Sequence, residues 1–134
     1  MRRLIDSGTA TERLAAYSRA VVEDEWIFVS GTMGADPATG QLATDVTTQA
    51  LTAFATIEAA LEQAGASLAD VVRCRVFITS REDLPAVAQI LRQKFERIRP
   101  ANTTVVCQLP VPEARIEVEV TAKRGRGQSG IAAL

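Results

Sequence analysis

Ile116-Glu117-Val118-Glu119-Val120-Thr121, near the end of this 134-residue chain, alternates apolar and polar side chains without a break. Successive side chains of a strand point to opposite faces of a sheet. The pattern therefore predicts a strand over residues 114–124, with one face buried in a core and the other face polar. A sheet with one apolar face is covered by helices or by a second sheet, so the preceding segments decide the architecture.

Working upstream, the sequence predicts a β-hairpin, two helices and two further strands. The clearest helix spans residues 45–64, because apolar side chains recur there at helical spacing and Gly65 follows as a helix-ending residue. The apolar side chains of this helix are Leu51, Phe54, Ile57, Leu61 and Ala64. A second helix is predicted to begin at Ser80 or Asp83 and to end at Pro100. The remaining strands are predicted at residues 17–22, 26–30, 70–79 and 102–109.

The predicted fold class is therefore α+β, with a sheet that two helices cover on one face. No linker or repeat interrupts residues 1–124, which we predict to form a single domain, whereas the glycine-rich residues 125–134 are predicted to be a flexible tail. Residues 26–29 place apolar side chains on both faces of the sheet. An uncovered second face would expose a large apolar patch, so we expect another copy of the chain to cover it.

The composition excludes several kinds of function. The chain has no histidine, which removes schemes with a histidine base and the usual zinc sites, and we expect no metal or other cofactor. Its formal net charge of -1 gives no electrostatic attraction for nucleic acid. No apolar run reaches the length of a membrane span or a signal peptide. Cys74 and Cys107 are isolated, so we expect a cytoplasmic protein with reduced cysteines.

Five strings carry a family resemblance through their order and spacing. They are Tyr17-Ser18-Arg19-Ala20-Val21, Ile27-Phe28-Val29-Ser30-Gly31, Asp36-Pro37-Ala38-Thr39-Gly40, and residues 70–78 and 116–122. Together they resemble the Rid family (RidA/YjgF, reactive intermediate deaminases) over roughly residues 3–124. The resemblance implies a fold similar to trimeric chorismate mutase, with a mixed sheet backed by two helices. It also implies a homotrimer with a central barrel and a ligand cleft at each subunit interface.

The resemblance further implies a reaction. The best-known members hydrolyse enamines and imines to 2-oxo acids and ammonia, and an arginine directly after a Pro-Ala pair grips the substrate carboxylate. Here Pro100-Ala101 is followed by Asn102, so this sequence resembles the branches of the family that lack the arginine. Arginine binds a carboxylate through two charge-assisted hydrogen bonds, whereas asparagine offers only neutral ones.

The resemblance also marks residues of the cleft. Glu117 matches an acidic residue that positions or activates the attacking water, and a carboxylate suits this role because water attack on an imine needs only a mild base. Tyr17 matches a tyrosine that lines the cleft, and Ser30 and Gly31 match a bend whose backbone approaches the ligand. For each of these residues an ordinary structural role is the alternative.

Three more candidates come from the strands. Asn102 stands in the arginine position, where it either binds a neutral or differently charged ligand or has no role. Arg75, with Arg73 on the same face, either replaces the missing cation or forms an ion pair with Glu117 or Glu119 across subunits, and the second reading is favoured. Cys107 is interpreted as a thiol lining the cleft or the core, because it has no histidine partner that would activate it.

The sequence leaves two functions open. One is a hydrolase of imines, enamines or related amides, and the other is a non-catalytic trimer that binds or senses a metabolite. The expected ligand in either case is a small acid or imine. RNA cleavage or translation inhibition, which has been attached to members of the family, is disfavoured because the chain has no histidine, no basic patch and few aromatic residues.

Overall fold

The alternating stretch near the end of the chain forms strand β6 (Ile116–Lys123), which lies inside a six-stranded sheet. A computed structural model describes residues 1–125. In chain order its other elements are β1 (Arg2–Ile5), α1 (Ala10–Ala15), β2 (Ala20–Glu23), β3 (Trp26–Met33), α2 (Val46–Gln63), β4 (Val71–Ile78), α3 (Leu84–Phe95) and β5 (Ala101–Val106). The predicted α+β class with one mixed sheet is confirmed.

The strand order across the sheet is β1-β2-β3-β6-β4-β5. All neighbouring strands are antiparallel except β4 and β5, which are parallel. The predicted hairpin is confirmed, since β2 pairs with β3 along its whole length. In β6, every second residue is buried from Ile116 to Ala122, as the alternation predicts. Its polar residues, which include Glu117 and Glu119, consequently lie on the opposite face.

Helices α2 and α3 cover the buried face of the sheet. Asp45 accepts a hydrogen bond from the Thr48 N–H at 2.9 Å and caps the start of α2. Gly65, with φ +78°, follows its end as predicted, and the N–H groups after the helix return to its last carbonyls. The rings of Phe54 and Phe95 meet edge to face at 5.6 Å and join the two helices. Leu51 is 38% exposed, so this member of the predicted apolar repeat lies outside the buried face of α2.

Two short elements escape the sequence patterns. β1 has four residues, of which only Ile5 is buried, and the strand is held by its pairing with β2. α1 has six residues and is capped by Thr9, whose hydroxyl accepts from the Glu12 N–H. Neither segment is long enough to show a hydrophobic period, which is why both were absent from the predicted element order.

Several predicted boundaries are also wrong. β2 begins at Ala20, so Tyr17 precedes the strand rather than lying on it. β5 ends at Val106, which places Cys107 beyond the strand. α3 ends at Phe95 rather than at Pro100, because Arg99 adopts a positive φ of 53° and its N–H turns back to the Phe95 carbonyl.

The start of β6 is fixed to the helical layer through Arg115. Its guanidinium donates two hydrogen bonds to the buried Asp83 carboxylate, at 3.2 and 2.6 Å, and one to the Thr44 carbonyl at 2.9 Å. Its backbone N–H donates to the Gln49 side chain at 2.8 Å. Gly34 packs directly on the backbone of Gln49, with no room for a Cβ. These contacts hold β3, β6 and α2 together at one end of the sheet.

The sheet face away from the helices carries apolar side chains, among them Phe28, which is 48% exposed, and Leu4, which is 55% exposed. Val105 on β5 is 40% exposed and belongs to the same face, since it pairs with Phe77. Within residues 1–125, no helix combines the length and apolar character needed to cross a membrane. The tail predicted from residue 125 lies, beyond Gly125 itself, outside the described residues.

Candidate functional site

Glu117 lies at the middle of the sheet, on the face that the helices leave uncovered. It pairs with Met33 of β3 on one side and with Phe77 of β4 on the other. Its side chain is partly buried. A groove of about 200 Å³ beside α2 has Ser7 and Arg19 in its lining, and a groove of about 510 Å³ lies beyond β5; Glu117 lines neither of them.

A β-bulge in β3 makes room for this carboxyl group. The register between β3 and β6 shifts between Val29 and Thr32, and Gly31 lies within the irregular segment. A Cβ added at Gly31 would meet Cδ of Glu117 at 2.9 Å and Oε2 at 3.1 Å. The absence of a side chain at position 31 thus lets the carboxyl group lie directly on the backbone of the bulge.

Arg19 holds the bulge from the other side. It is 6% exposed, and one terminal nitrogen donates to the Gly31 carbonyl at 3.0 Å and to the Thr32 hydroxyl at 2.8 Å. The other terminal nitrogen donates to the Tyr17 hydroxyl at 3.4 Å, and the guanidinium lies 5.6 Å from the centroid of the Tyr17 ring. A buried cation is therefore bonded to the backbone that supports Glu117.

Glu12 is the counter-charge of Arg19. Its carboxylate lies 3.5 Å from Nε of Arg19, and Glu12 is 3% exposed. The Ser7 hydroxyl and backbone N–H and the Thr9 hydroxyl all donate to it. Burial alone would raise the pKa of Glu12, but hydrogen bonds from Ser7 and Thr9 outweigh it and lower the pKa to about 2. Glu12 therefore remains ionised at neutral pH.

The surroundings of Glu117 raise the pKa of its carboxyl group, whereas those of Glu12 lower it. Burial raises the pKa of its carboxyl group above the ordinary value, and the negative charge of Glu119 raises it further, while Arg19 partly offsets both. A carboxyl group with a raised pKa is a better proton acceptor than an ordinary one when it is ionised. Glu117 can therefore take a proton from a bound water and return it to a leaving group.

Four predicted site residues come together here: Tyr17, Ser30, Gly31 and Glu117. Tyr17 is 37% exposed, and its hydroxyl accepts from Arg19. The Ser30 hydroxyl donates to the Ser18 carbonyl at 2.6 Å, so it ties the bulge to the segment before β2. Residues 17–21 and the bend at residues 30–31, which belong to two of the strings that carry the resemblance, are thus hydrogen-bonded to each other.

Asn102 lies apart from this group. It pairs with Cys74 of β4, whose side chain is in the core, whereas Glu117 pairs with Phe77, so Asn102 and Glu117 belong to opposite sheet faces. One strand also separates β5 from β6, which adds about 10 Å between their backbones. The Asn102 side chain accepts from the Thr104 hydroxyl at 3.0 Å and is exposed at the sheet edge.

Arg75 lies on the same face as Glu117, next to Glu119. Its guanidinium is 3.5 Å from the Glu119 carboxylate of the same chain. Within one chain β4 and β6 are neighbours, with Arg75 opposite Glu119 in register, and the ion pair across subunits that the sequence favoured stays a prediction. The side chain of Arg75 is 52% exposed, so the pair occupies the surface beside Glu117.

The two cysteines have different surroundings. Cys107 follows β5, its N–H donates to the Ile78 carbonyl at 2.9 Å, and it is one of the residues lining the groove of about 510 Å³. It is partly exposed and lies outside the group around Glu117. Cys74 is in the core, where burial, together with the negative charge of Glu119, raises the pKa of its thiol to about 12. Cys74 is therefore unreactive at neutral pH.

Sequence reasoning missed Arg19 and Glu12 as parts of this site. Arg19 belongs to the string at residues 17–21. The sequence feature that could have indicated its role is an arginine directly before a strand of apolar residues. Its partners include the backbone carbonyl of Gly31 and a glutamate seven positions upstream, and no period or motif connects these two to it. Across residues 1–125, no group of three or more histidine, cysteine, aspartate or glutamate side chains could hold a metal ion.

The chain is similar to known proteins over most of its length. A family model described as endoribonuclease L-PSP matches residues 8–124. A 2-iminobutanoate/2-iminopropanoate deaminase from Capra hircus is 35% identical over 127 residues, which cover 93% of this chain and 92% of the goat protein. The crystal structure of a YjgF/YER057c/UK114 family member from Mycobacterium tuberculosis has a TM-score of 0.84 and 35% identity, covering 92% of this chain and 99% of its own. TdcF from E. coli, solved with bound serine, has a TM-score of 0.75 and 28% identity, covering 81% of this chain and 88% of its own.

Proposed function

This chain belongs to the Rid or YjgF family, whose model is described as endoribonuclease L-PSP, and from that premise we propose that it hydrolyses small imines and enamines and releases ammonia. The observation that carries the proposal is the Glu117 carboxyl group, partly buried on the Gly31 bulge with a raised pKa. Proteins named as imine deaminases match this chain over 88% or more of its length.

The proposed reaction needs one carboxyl group and one water molecule. Ionised Glu117 accepts a proton from water while the oxygen bonds to the imine carbon, and it passes this proton to the nitrogen as the C=N bond becomes single. The resulting carbinolamine then collapses: ionised Glu117 accepts the hydroxyl proton as the carbonyl forms, and it gives this proton to the nitrogen as the C–N bond breaks and ammonia leaves. An enamine enters the same sequence after protonation on carbon.

Asn102 bears on the charge of the substrate, because the resemblance implies an arginine at this position in the best-known members. Asparagine offers neutral hydrogen bonds, so a carboxylate substrate is held about 1–3 kcal/mol less tightly than by an arginine at this place. We propose that the substrates include uncharged imines, or related amides and carbamates, as well as 2-imino acids. Arg75 is the nearby cation on the Glu117 face, and binding of a carboxylate there would compete with Glu119.

We further propose a homotrimer with the cleft between subunits. The uncovered sheet face exposes Phe28, Leu4 and Val105, and a second copy would remove them from water. Because Asn102 and Glu117 lie on opposite faces of one sheet, they could share a cleft only if they come from different copies. Light scattering that gives a monomer of 14.4 kDa would contradict this arrangement.

Ammonia release from imines generated in solution by an amino-acid oxidase tests the reaction. The wild-type protein should raise the rate above spontaneous hydrolysis, and Glu117→Gln should reduce the added rate by about 100-fold or more. Glu58→Gln is the matched control, since Glu58 is a carboxylate on the helical layer that pairs with Lys94. Equal rates for the wild type and Glu117→Gln would show that this carboxyl group does not perform the reaction.

Asn102 also favours a second candidate, a non-catalytic trimer that binds a metabolite in the same cleft. A thermal-shift screen of small acids, amides and nucleobase fragments distinguishes the two. Ligand at a hundredfold excess over its dissociation constant stabilises the folded state by about 2.7 kcal/mol. Stabilisation without ammonia release from the corresponding imine would favour the binding protein over the enzyme.

A further inference from the structure

We infer that Arg19 is a positioning residue for Glu117: it holds the backbone of the bulge on which the carboxyl group lies and places a positive charge beside it. The inference rests on the proposed hydrolysis for its effect on rate, but not for its effect on the carboxyl group itself. Its evidence is the series of contacts that runs from Ser7 through Glu12 and Arg19 to the carbonyl of Gly31.

Arg19 is fully engaged within the chain. With 6% of its surface exposed, it bonds to the Gly31 carbonyl, the Thr32 hydroxyl and the Tyr17 hydroxyl, and it faces the Glu12 carboxylate. Breaking a buried ion pair by removing one partner is strongly unfavourable, so the guanidinium does not leave this position to grip a substrate. Arg19 therefore acts on the reaction through other groups.

The first effect is on geometry. The Gly31 carbonyl accepts from Arg19 at 3.0 Å, while the Gly31 Cα faces the Glu117 carboxyl group so closely that a Cβ would lie 2.9 Å from Cδ. A shift of the bulge therefore changes the surface on which the carboxyl group rests. Misplacement of a catalytic group by about 1 Å is enough to reduce a rate by about 100-fold.

The second effect is on ionisation. The charged groups around Glu117 are Glu119 on its own strand, Arg75 on β4, and Arg19 with its partner Glu12 beyond the β3 bulge. Arg75 is engaged by Glu119, and Arg19 is the cation that lowers the pKa of Glu117 against burial and Glu119. Since the pKa of Glu12 is about 2, the counter-charge of Arg19 stays ionised at neutral pH.

Three variants test the inference: Arg19→Gln, Arg19→Lys and the control Arg92→Gln. Arg92 is an exposed arginine that pairs with Glu96 on α3, so its loss changes the net charge equally but far from Glu117. The measurement is the titration of the Glu117 carboxyl carbon by NMR in protein labelled at glutamate. Arg19→Gln should raise the titration midpoint, whereas Arg92→Gln should leave it at the wild-type value.

Arg19→Lys retains the charge but lacks the planar group that bonds to Gly31 and Thr32 together. Its titration midpoint should stay near the wild-type value while kcat falls roughly tenfold to 100-fold with little change in KM. If Arg19→Gln does not fold, Arg19→Lys still decides: wild-type kcat in this variant would overturn the positioning role. An unchanged midpoint in folded Arg19→Gln would overturn the electrostatic role.

The NMR titration of Glu117 can be measured whether or not the protein hydrolyses imines, so the inference and the proposed function can fail separately. Absence of hydrolysis in the wild-type protein together with a raised midpoint in Arg19→Gln would contradict the proposed function and support the link between Arg19 and Glu117. Hydrolysis by the wild type together with no effect of either Arg19 variant on midpoint or kcat would support the function and overturn the inference.

Discussion

The carboxyl group of Glu117 occupies the space that a side chain at Gly31 would need, since a Cβ there would lie 2.9 Å from Cδ of Glu117. The two residues belong to neighbouring strands, and the bulge in β3 brings them together. Glycine at position 31 is therefore required by the position of an acidic side chain rather than by its own backbone angles.

Gly31→Ala should preserve the fold and displace the carboxyl group. The atoms that the new Cβ meets are at the end of a flexible side chain, which can move by rotation. We expect the rate of imine hydrolysis to fall about 10- to 100-fold with a small change in the free energy of unfolding. Kinetics and urea denaturation measure the two effects.

Gly34→Ala is the contrasting variant. A Cβ at position 34 would lie 2.2 Å from the carbonyl oxygen of Gln49, which is backbone and cannot rotate away. This substitution should lower the free energy of unfolding by about 1–3 kcal/mol or more. If Gly31→Ala proved as destabilising as Gly34→Ala, the flexible accommodation by Glu117 would be wrong.

Glu117→Gln should make the protein more stable at mildly alkaline pH. A folded carboxyl group with a raised pKa binds its proton more tightly than the unfolded chain does, so its contribution is present below the unfolded value of 4.5 and is lost as pH rises through the higher folded value. Glutamine has no such loss. The difference in unfolding free energy between variant and wild type should grow from acid to alkaline pH, and a difference that shrinks with rising pH would contradict the raised pKa.

Glu12→Gln should have the opposite pH dependence. The pKa of Glu12 is lowered from 4.5 to about 2, so its contribution is present above 4.5 and is lost as pH falls towards 2. Near neutral pH the variant should lose about 3 kcal/mol of unfolding free energy. Exposed Glu62 on α2 provides the control, and Glu62→Gln should change stability by less than about 0.5 kcal/mol. A Glu12→Gln deficit that stays constant down to pH 2 would show that its ionisation is not the cause.

The elements with a clear period could be predicted from the sequence. The alternation in β6 and the apolar repeat of Phe54, Ile57 and Leu61 reflect burial on one face, which leaves a direct trace in the order of residues. β1 and α1 could not be predicted, because four and six residues carry too few positions for a period and depend on pairing with β2 and on the Thr9 cap.

The candidate site was predictable only in part. Tyr17, Ser30, Gly31 and Glu117 were found through strings that resemble a family, and the structure brings them together. The role of Arg19 could not be found in this way, because its link to the bulge runs through the carbonyl of Gly31, and a backbone carbonyl is the same for every residue. The partner of Arg75 depended on the strand order, which places β4 beside β6 and which no local pattern encodes.

Asn102→Arg should increase activity towards imines that carry a carboxylate. Asn102 is exposed at the sheet edge, and its one side-chain hydrogen bond is to Thr104, so an arginine fits without disturbing the core. A bidentate contact with the substrate carboxylate adds about 1–3 kcal/mol, which corresponds to roughly 5- to 150-fold in kcat/KM. Uncharged imines should gain nothing. Thr103→Arg is the control, because Thr103 is the next residue and faces the other side of the strand. Equal gains for both variants, or for charged and uncharged substrates alike, would show that position 102 does not face the substrate carboxylate.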